Sequence, residues 1–317
     1  MARLRLFFCS DIHGSDVCFK KFVNAAEAYK ADVLIVGGDI TGKFIVPIFE
    51  EQGGRYAYSF LGEQRRVEEA GLGEALKLIR DTGSYPYVTS KERWEELTSS
   101  PTRMEELFLT LIRDSLRSWA GFAELRLRGR PVQCYIMPGN DDHPLVDEML
   151  KGSEVIINPH ERVVELSSGL KLLGLGYSNI TPWKCYRDVP EELIERKIEQ
   201  LMGEVAEGEG LLYAIHVPPF NSGIDAAPEL DEQMRPKLAP GGQALLRPVG
   251  STSVRRAIER HQPALGLHGH VHEARGFARI GRTLCFNPGS EYQEGVLRGV
   301  LIQLEDGKVR DFIFTAG

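Results

Sequence analysis

Several short apolar segments of this chain end abruptly in polar corners made of aspartate, histidine, asparagine and glycine. Residues 4–9 are followed by Asp11 and His13, and residues 33–36 are followed by Asp39. Short, fully apolar runs are typical of buried parallel strands, and open α/β sheets place their ligands at the carboxyl ends of such strands. The pattern therefore predicts an α/β fold in which separate strands deliver polar side chains to one site.

Three further strand-like segments, 131–137, 210–216 and 264–267, run into the same kind of corner. Imidazole and carboxylate ligands together suit Zn, Mn, Fe or Ni, whereas an all-oxygen site favours Mg or Ca. Taken singly, each corner is equally well explained as a helix cap or a turn. Taken jointly, they predict a metal site with seven candidate ligands: Asp11, His13, Asp39, Asn140, His216, His270 and His272.

The composition excludes several classes of protein. The chain has 317 residues, of which 42% are hydrophobic, and a formal net charge of −7, so it has ample material for a core and no overall basic footprint for nucleic acid. The net charge does not exclude basic patches on part of the surface. No stretch approaches the ~20 apolar residues of a membrane helix. Five scattered cysteines predict buried thiols in a reducing compartment, and we expect a cytoplasmic protein that does not bind membranes.

In order, the polar corners resemble the signature of the calcineurin-like metallophosphoesterase superfamily, in particular its small prokaryotic phosphoesterases. That signature reads D-x-H, G-D, G-N-H-[DE], a lone histidine, and G-H-x-H. The resemblance covers residues 3–45 and 131–317. The matching residues here are Asp11, His13, Gly38, Asp39, Gly139, Asn140, Asp141, Asp142, His216, Gly269, His270 and His272.

The resemblance implies a four-layer α/β/β/α sandwich of two mixed β-sheets flanked by helices. One catalytic domain would span residues 1–317, interrupted at about 45–130 by an insertion. The sequence of the insertion predicts a hairpin around Gly53 and Gly54, followed by a mostly helical part. Helical patterns there cover residues 63–80, a short segment after Thr89, and residues 101–122.

The resemblance also implies a dinuclear centre of Mn, Fe, Zn or Ni, with Mn favoured. A hydroxide bridging the two metals would attack a phosphate ester in line, with Asn140, Asp141 and His216 as catalytic residues. Asp39 would bridge the metals. Asp11, His13 and His272 would hold one metal, and Asn140, His216 and His270 the other.

The chain departs from the signature at Asp141, where the family usually has a histidine that assists the leaving group. Opposite charges lower a carboxyl pKa, so Asp141 beside two dications should be ionised and cannot act as a general acid. An ionised carboxylate would also repel a phosphate dianion, which favours phosphodiesters over phosphomonoesters. Asp141 as a solvated bystander is an equal alternative, and His143 is a second source of an imidazole.

Two other functions fit the same residues. A metal-dependent nuclease is disfavoured by the acidic charge and the lack of an aromatic-basic tract. A scaffold that holds metals without turnover is supported only by the lost histidine. His268 is interpreted as a structural neighbour of the ligands. The physiological substrate, the oligomeric state and the role of residues 217–250 are left open by the sequence.

Overall fold

Two mixed β-sheets form the frame of the computed structural model, which describes residues 3–166, 169–206 and 210–317. In chain order the strands are β1 (Arg3–Cys9), β2 (Val33–Val36), β3 (Phe44–Glu51), β4 (Arg55–Phe60), β5 (Glu63–Glu68), β6 (Ser84–Thr89), β7 (Gln133–Ile136), β8 (Ile156–Ile157), β9 (Arg162–Glu165), β10 (Lys171–Leu175), β11 (Ser178–Asn179), β12 (Asp188–Val189), β13 (Leu211–Ile215), β14 (Ala226–Pro228), β15 (Leu246–Pro248), β16 (Leu265–Leu267), β17 (Gly276–Ile280), β18 (Thr283–Asn287), β19 (Arg298–Glu305) and β20 (Lys308–Ala316). The helices are α1 (Asp16–Ala28), α2 (Glu69–Asp81), α3 (Lys91–Thr98), α4 (Pro101–Leu127), α5 (Leu145–Leu150), α6 (Glu191–Met202) and α7 (Thr252–His261), with a 3₁₀ turn at Tyr292–Glu294.

Parallel strands occupy the middle of both principal sheets. The first has the order β20-β19-β1-β2-β7-β8, and β1, β2, β7 and β8 run parallel. The second has the order β10-β13-β16-β18-β17, and its first four strands run parallel. Antiparallel strands close one edge of each sheet. The carboxyl ends of the parallel strands in each sheet therefore share one edge, where the predicted ligand corners begin.

The side-chain alternation of β1 shows how the sheets are buried. Leu6 and Phe8 pack with Phe286 of the second sheet, in a core between the two sheets. Phe7 and Cys9 point the other way, into a core that includes the helices on the outer face. Successive side chains of a strand alternate between faces, so the apolar residues 6–9 of β1 have both faces covered.

Helices cover the outer face of each sheet. Phe22 of α1 and Trp119 of α4 belong to the core outside the first sheet. Ile198 of α6 and Val254 of α7 belong to the core outside the second sheet. The α/β sandwich of two mixed sheets that the sequence predicted is confirmed.

The segment 45–130 contains more strand than its sequence predicted. The hairpin around Gly53 and Gly54 is present as β3 and β4, but residues 63–68 form β5, and the helix expected over 63–80 begins only at Glu69. The reason is a two-residue turn at Leu61 and Gly62, whose φ angles of 52° and 79° reverse the chain directly into β5. The resulting sheet has the order β5-β4-β3-β6.

Residues 217–250 are not a structureless loop, because β14 and β15 pair antiparallel within them. Beyond these strands, Lys237 donates its backbone N–H to Glu229 O, and Leu245 donates to Lys237 O, at 2.7 and 2.9 Å. The segment is therefore an extended arm held by backbone hydrogen bonds.

The helices in the described part of the chain include none with the length and apolar character of a membrane span.

Trp119 of α4 joins the segment 45–130 to the rest of the fold. Its ring stacks on Phe19 with centroids 4.2 Å apart, and its indole N–H donates to Asp16 Oδ1 at 2.6 Å.

Trp119→Ala should lower the free energy of unfolding by about 3–5 kcal/mol, because it leaves a cavity and an unpaired acceptor. Urea unfolding measures the change. Leu125→Ala on the same helix, whose side chain is 82% exposed, should change it by less than about 0.5 kcal/mol. Equal effects of the two variants would contradict this packing.

Candidate metal centre

All seven predicted ligand residues lie at the shared carboxyl edge of the two sheets. Three segments come from the first sheet, following β1, β2 and β7, and two come from the second, following β13 and β16. Five of the seven residues are buried, and His270 and His272 are partly exposed. The structure thus brings together residues that lie up to 261 positions apart: Asp11, His13, Asp39, Asn140, His216, His270 and His272.

One group of ligand atoms surrounds His13. Its Nε2 lies 3.0 Å from His272 Nε2 and 3.7 Å from Asp39 Oδ2. His272 Nε2 lies 3.4 Å from Asp11 Oδ1. These atoms face one another across a space with the dimensions of a single cation.

A second group surrounds the side-chain oxygen of Asn140. This Oδ1 lies 3.1 Å from His216 Nε2 and 2.9 Å from His270 Nδ1. His216 Nε2 is also 3.5 Å from Asp39 Oδ2, the oxygen that faces His13 in the first group. Asp39 is therefore shared by the two groups.

Hydrogen bonds on the outer side of the second group orient its ligand atoms. Asn140 donates its Nδ2 to Asp188 Oδ1 at 2.9 Å, which turns Oδ1 toward the histidines. His216 Nδ1 lies 2.9 Å from Gly37 O and donates to it, which directs Nε2 toward Asn140 Oδ1. Once Nε2 has lost its proton, two acceptor atoms face each other, and a cation is the group that satisfies both.

The spacing of these atoms fits divalent ions. Two ligand atoms about 2.1 Å from one ion, at tetrahedral or octahedral angles, are about 3.0–3.4 Å apart. The separations within the two groups run from 2.9 to 3.7 Å. Nitrogen and oxygen donors are mixed in both groups, which suits transition metals.

The charges in the site also favour a cation. Burial would raise the pKa values of Asp11 and Asp39, but neighbouring histidines lower both below their usual range. Burial would lower the pKa of His216, yet the charge of Asp39 raises it to about 9. Burial lowers the pKa of His13 to about 3 and that of His270 to about 4. The site thus combines ionised carboxylates with neutral imidazoles at His13 and His270. Neighbouring carboxylates raise the pKa values of His216 and His272 despite their burial, and a bound cation would take over that positive charge.

The ligand corners hold uncommon backbone conformations. Asp11, His13, Asp39 and His270 have φ angles of 56°, 38°, 50° and 68°, in the left-handed region that favours glycine. Hydrogen bonds between corners hold them there: Asp11 donates its backbone N–H to Gly38 O, and His13 donates to Asp39 O, both at 2.9 Å. Such strain persists only where the surroundings enforce it, and it is concentrated at functional sites.

Two glycines of the motifs allow the corners to meet. A Cβ on Gly139 would overlap the backbone N and Oδ1 of Asp39, and a Cβ on Gly269 would overlap Asp11 Oδ2. A side chain at either position would therefore push a ligand carboxylate out of place. The glycines are required for close approach of backbone to ligand.

Asp142 is a structural centre of the site that the sequence reasoning did not single out. Its fully buried carboxylate accepts from Thr41 N and Gly139 N, both at 2.8 Å, and from Ile40 N at 3.0 Å. It thereby ties the corner after β2 to the corner after β7. Burial raises its pKa to about 6. The sequence did contain a signal for this role, because Asp142 occupies the final acidic position of the G-N-H-[DE] motif.

Asp141 lies at the centre and pairs with a lysine that the sequence reasoning missed. A carboxylate oxygen of Asp141 lies within 4.8 Å of the ligand atoms of His13 and Asp39. Its backbone N–H donates to Asp39 Oδ1 at 3.0 Å, and its Oδ2 is 2.7 Å from Lys43 Nζ. Asp141 is therefore not an isolated solvated carboxylate. No motif marks Lys43, although it lies only four residues after Asp39.

The other histidines near the site have structural contacts. His143 Nδ1 accepts from Leu145 N at 3.0 Å at the start of α5. His268 Nδ1 lies 2.8 Å from Ile215 O and donates to it, joining the corners after β13 and β16. The structural role predicted for His268 agrees with this contact.

A cleft of about 510 Å³ opens over the two ligand groups. Lys43 and Asp141 form part of one wall. Trp183 and Met234, with 66% and 43% of their surfaces exposed, belong to loops that also line it. The lining thus combines charged and apolar side chains.

Comparisons with known proteins agree with this fold. No family model matches the chain. The uncharacterized protein MJ1162 of Methanocaldococcus jannaschii is 29% identical over 159 residues, which are 50% of this chain and 64% of that protein. The chain thus spans less than two thirds of the length of this curated relative.

Two crystal structures are similar along their whole length. One, TT1561 of Thermus thermophilus, has a TM-score of 0.55 at 14% identity and covers 100% of this chain and 99% of its own. The other has a TM-score of 0.59 at 16% identity and covers 98% and 99%. At these identities the likeness shows the fold. The sandwich and the convergence of all five motif blocks confirm the resemblance to the calcineurin-like metallophosphoesterases.

Asp188 provides a test of the second ligand group, because it orients Asn140. Asp188→Ala should weaken binding of the second Mn²⁺ by about 10–100-fold and leave the first unchanged. Calorimetric titration of chelator-treated protein separates the two events, and thermal unfolding verifies the fold. Asp114→Ala, at an exposed carboxylate of α4, is the control. Two unchanged affinities, or an equal loss of both, would contradict the assignment.

Proposed function

We propose that this chain is a dinuclear metal-dependent phosphoesterase of the calcineurin-like type that hydrolyses phosphodiesters. The observation that carries the proposal is the convergence of two ligand groups on the shared carboxylate of Asp39. Asp39 would contact both metals, and manganese is the favoured occupant. Asp11, His13 and His272 would hold the first, and Asn140, His216 and His270 the second.

Two divalent cations held in this way activate water and polarise the phosphoryl oxygens of an ester. The residues of the chain provide the positioning. Asn140 contributes an oxygen without adding negative charge near the phosphate. The hydrogen bonds from Asn140 to Asp188 and from His216 to Gly37 fix the ligand atoms before any ion arrives. A site held this rigidly needs little reorganisation during the reaction.

Two features of the cleft support a preference for diesters. Asp141 takes the place of an imidazole beside Asn140, and an ionised carboxylate accepts protons but does not supply one to a leaving group. It also disfavours the second negative charge of a monoester. On the other side, the exposed rings and chains of Trp183 and Met234 offer an apolar surface to a second ester substituent.

The proposal predicts turnover of a model diester. Protein stripped by chelator and reloaded with Mn²⁺ should hydrolyse bis(p-nitrophenyl) phosphate faster than p-nitrophenyl phosphate. Asp39→Ala should lower kcat/KM for the diester by at least about 1,000-fold, because both cations lose a ligand. Release of p-nitrophenol and metal content are measured on the same samples.

Asp311→Ala, at an exposed carboxylate of β20, is the control for lost charge and should keep both properties. The metal assignment is wrong if Asp39→Ala retains two ions per chain and full turnover. Faster hydrolysis of the monoester would leave the phosphoesterase intact and refute the diester preference.

A further inference from the structure

The ion pair between Lys43 and Asp141 lies in the wall of the cleft, directly beside the ligand residues. Both residues line the cleft together with Asp39 and Asn140. The pair is partly shielded from solvent, with 37% of the Lys43 side chain and 28% of the Asp141 side chain exposed. Partial desolvation strengthens electrostatic interactions of a charged group with a bound anion.

The backbone around Lys43 is fixed. Thr41 donates its N–H to Asp142 Oδ1 at 2.8 Å, and Gly42 donates its N–H to Tyr85 Oη at 2.9 Å. Lys43 follows immediately and precedes β3, so it sits where the corner of Asp39 passes into the insertion. On the other side, Asp141 is tied to Asp39 through its own N–H. Hydrogen bonds thus fix the backbone that leads to Lys43, and its ammonium contacts a carboxylate whose own backbone is fixed.

We propose that Lys43 is a catalytic residue whose ammonium donates a hydrogen bond to the leaving-group oxygen of a bound phosphodiester, and that Asp141 is its positioning residue. The pair would take the place of the histidine that the resemblance leads one to expect at position 141. This inference rests on the proposed phosphodiesterase function and adds the group that assists departure of the alcohol.

The reaction balances without any further reactant. One water and one diester give a phosphomonoester and an alcohol. A bond forms between the water oxygen and phosphorus, the bond from phosphorus to the leaving oxygen breaks, and its electron pair stays on that oxygen. The proton that completes the alcohol comes from the water. Lys43 stabilises the negative charge while it builds on the oxygen and ends the cycle as an ammonium.

The surroundings of Lys43 agree with a donor that keeps its proton. Burial would lower its pKa, but the charges of Asp141 and Asp39 raise it above the usual value. The pairing also changes the interpretation of Asp141 that its sequence context suggested. An ammonium at 2.7 Å weakens the repulsion between Asp141 and a phosphate, and the repulsion that remains still acts more strongly on a monoester dianion than on a diester.

The test uses two diesters that differ only in the leaving group, methyl p-nitrophenyl phosphate and methyl phenyl phosphate, with the full Mn²⁺-loaded chain. Phenolate is the poorer leaving group and needs more assistance. Lys43→Ala should therefore lower kcat by about 100-fold for the phenyl ester and by about 10-fold for the p-nitrophenyl ester. Lys77→Ala, which breaks the Lys77–Asp81 pair on α2, is the matched control and should change neither.

Asp141→Asn and the double variant test the positioning role. Asp141→Asn should reproduce the steeper leaving-group dependence in part, and adding it to Lys43→Ala should lower kcat no further. All three variants should keep two Mn²⁺ per chain by metal analysis. Loss of an ion in Asp141→Asn would make Asp141 a metal ligand and overturn its role here.

The outcomes separate this inference from the function on which it rests. If the wild-type chain hydrolyses neither ester, the proposed function fails and the role of Lys43 falls with it. If the wild type hydrolyses both and Lys43→Ala lowers them equally or not at all, the phosphodiesterase stands and only the role of Lys43 is refuted.

Discussion

The corners that follow β1 and β2 hydrogen-bond directly to each other, and the arrangement of the site depends on this contact. Asp11 and His13 donate their backbone N–H groups to Gly38 and Asp39 of the neighbouring corner. Left-handed backbone at a non-glycine residue costs of order 1–3 kcal/mol. Three ligands in these two corners adopt it: Asp11, His13 and Asp39. The two-sheet core and the buried carboxylate of Asp142 supply the packing and hydrogen bonds that offset this cost. Rigidity at the site is thus a property of the whole sandwich.

Much of the fold and the ligand set could be predicted from the sequence, because the responsible signals are local. A wholly apolar strand such as β2 has to be covered on both faces. The resemblance to the metallophosphoesterases implies what covers them, a second sheet on one side and helices on the other. A polar corner after each strand then predicts where side chains meet. The seven candidate ligands converge for this reason, although whether they hold metals stays a prediction.

What the sequence did not reveal depends on contacts between distant segments or on unusual turns. The turn at Leu61 and Gly62 carries a leucine with positive φ, which ordinary turn patterns do not contain, so the sequence predicts helix where β5 forms. Helix α6 has buried residues at 194, 198 and 201, a helical spacing that the sequence reasoning did not use. The pairing of Lys43 with Asp141 joins residues 98 positions apart, and no local pattern predicts it. That pairing gives Asp141 a second role, holding a cation, beside the repulsion of a monoester dianion by its own charge.

Everything proposed for the site depends on Asp39 contacting two metal ions. Anomalous X-ray diffraction from crystals of the Mn²⁺-loaded protein tests this most directly. Data on both sides of the manganese absorption edge locate the ions independently of any assay. Two anomalous peaks about 3.5–4 Å apart, one toward His13 and one toward His216, with Asp39 between them, are the predicted result. A single peak, or peaks away from Asp39, would contradict a dinuclear centre at this site.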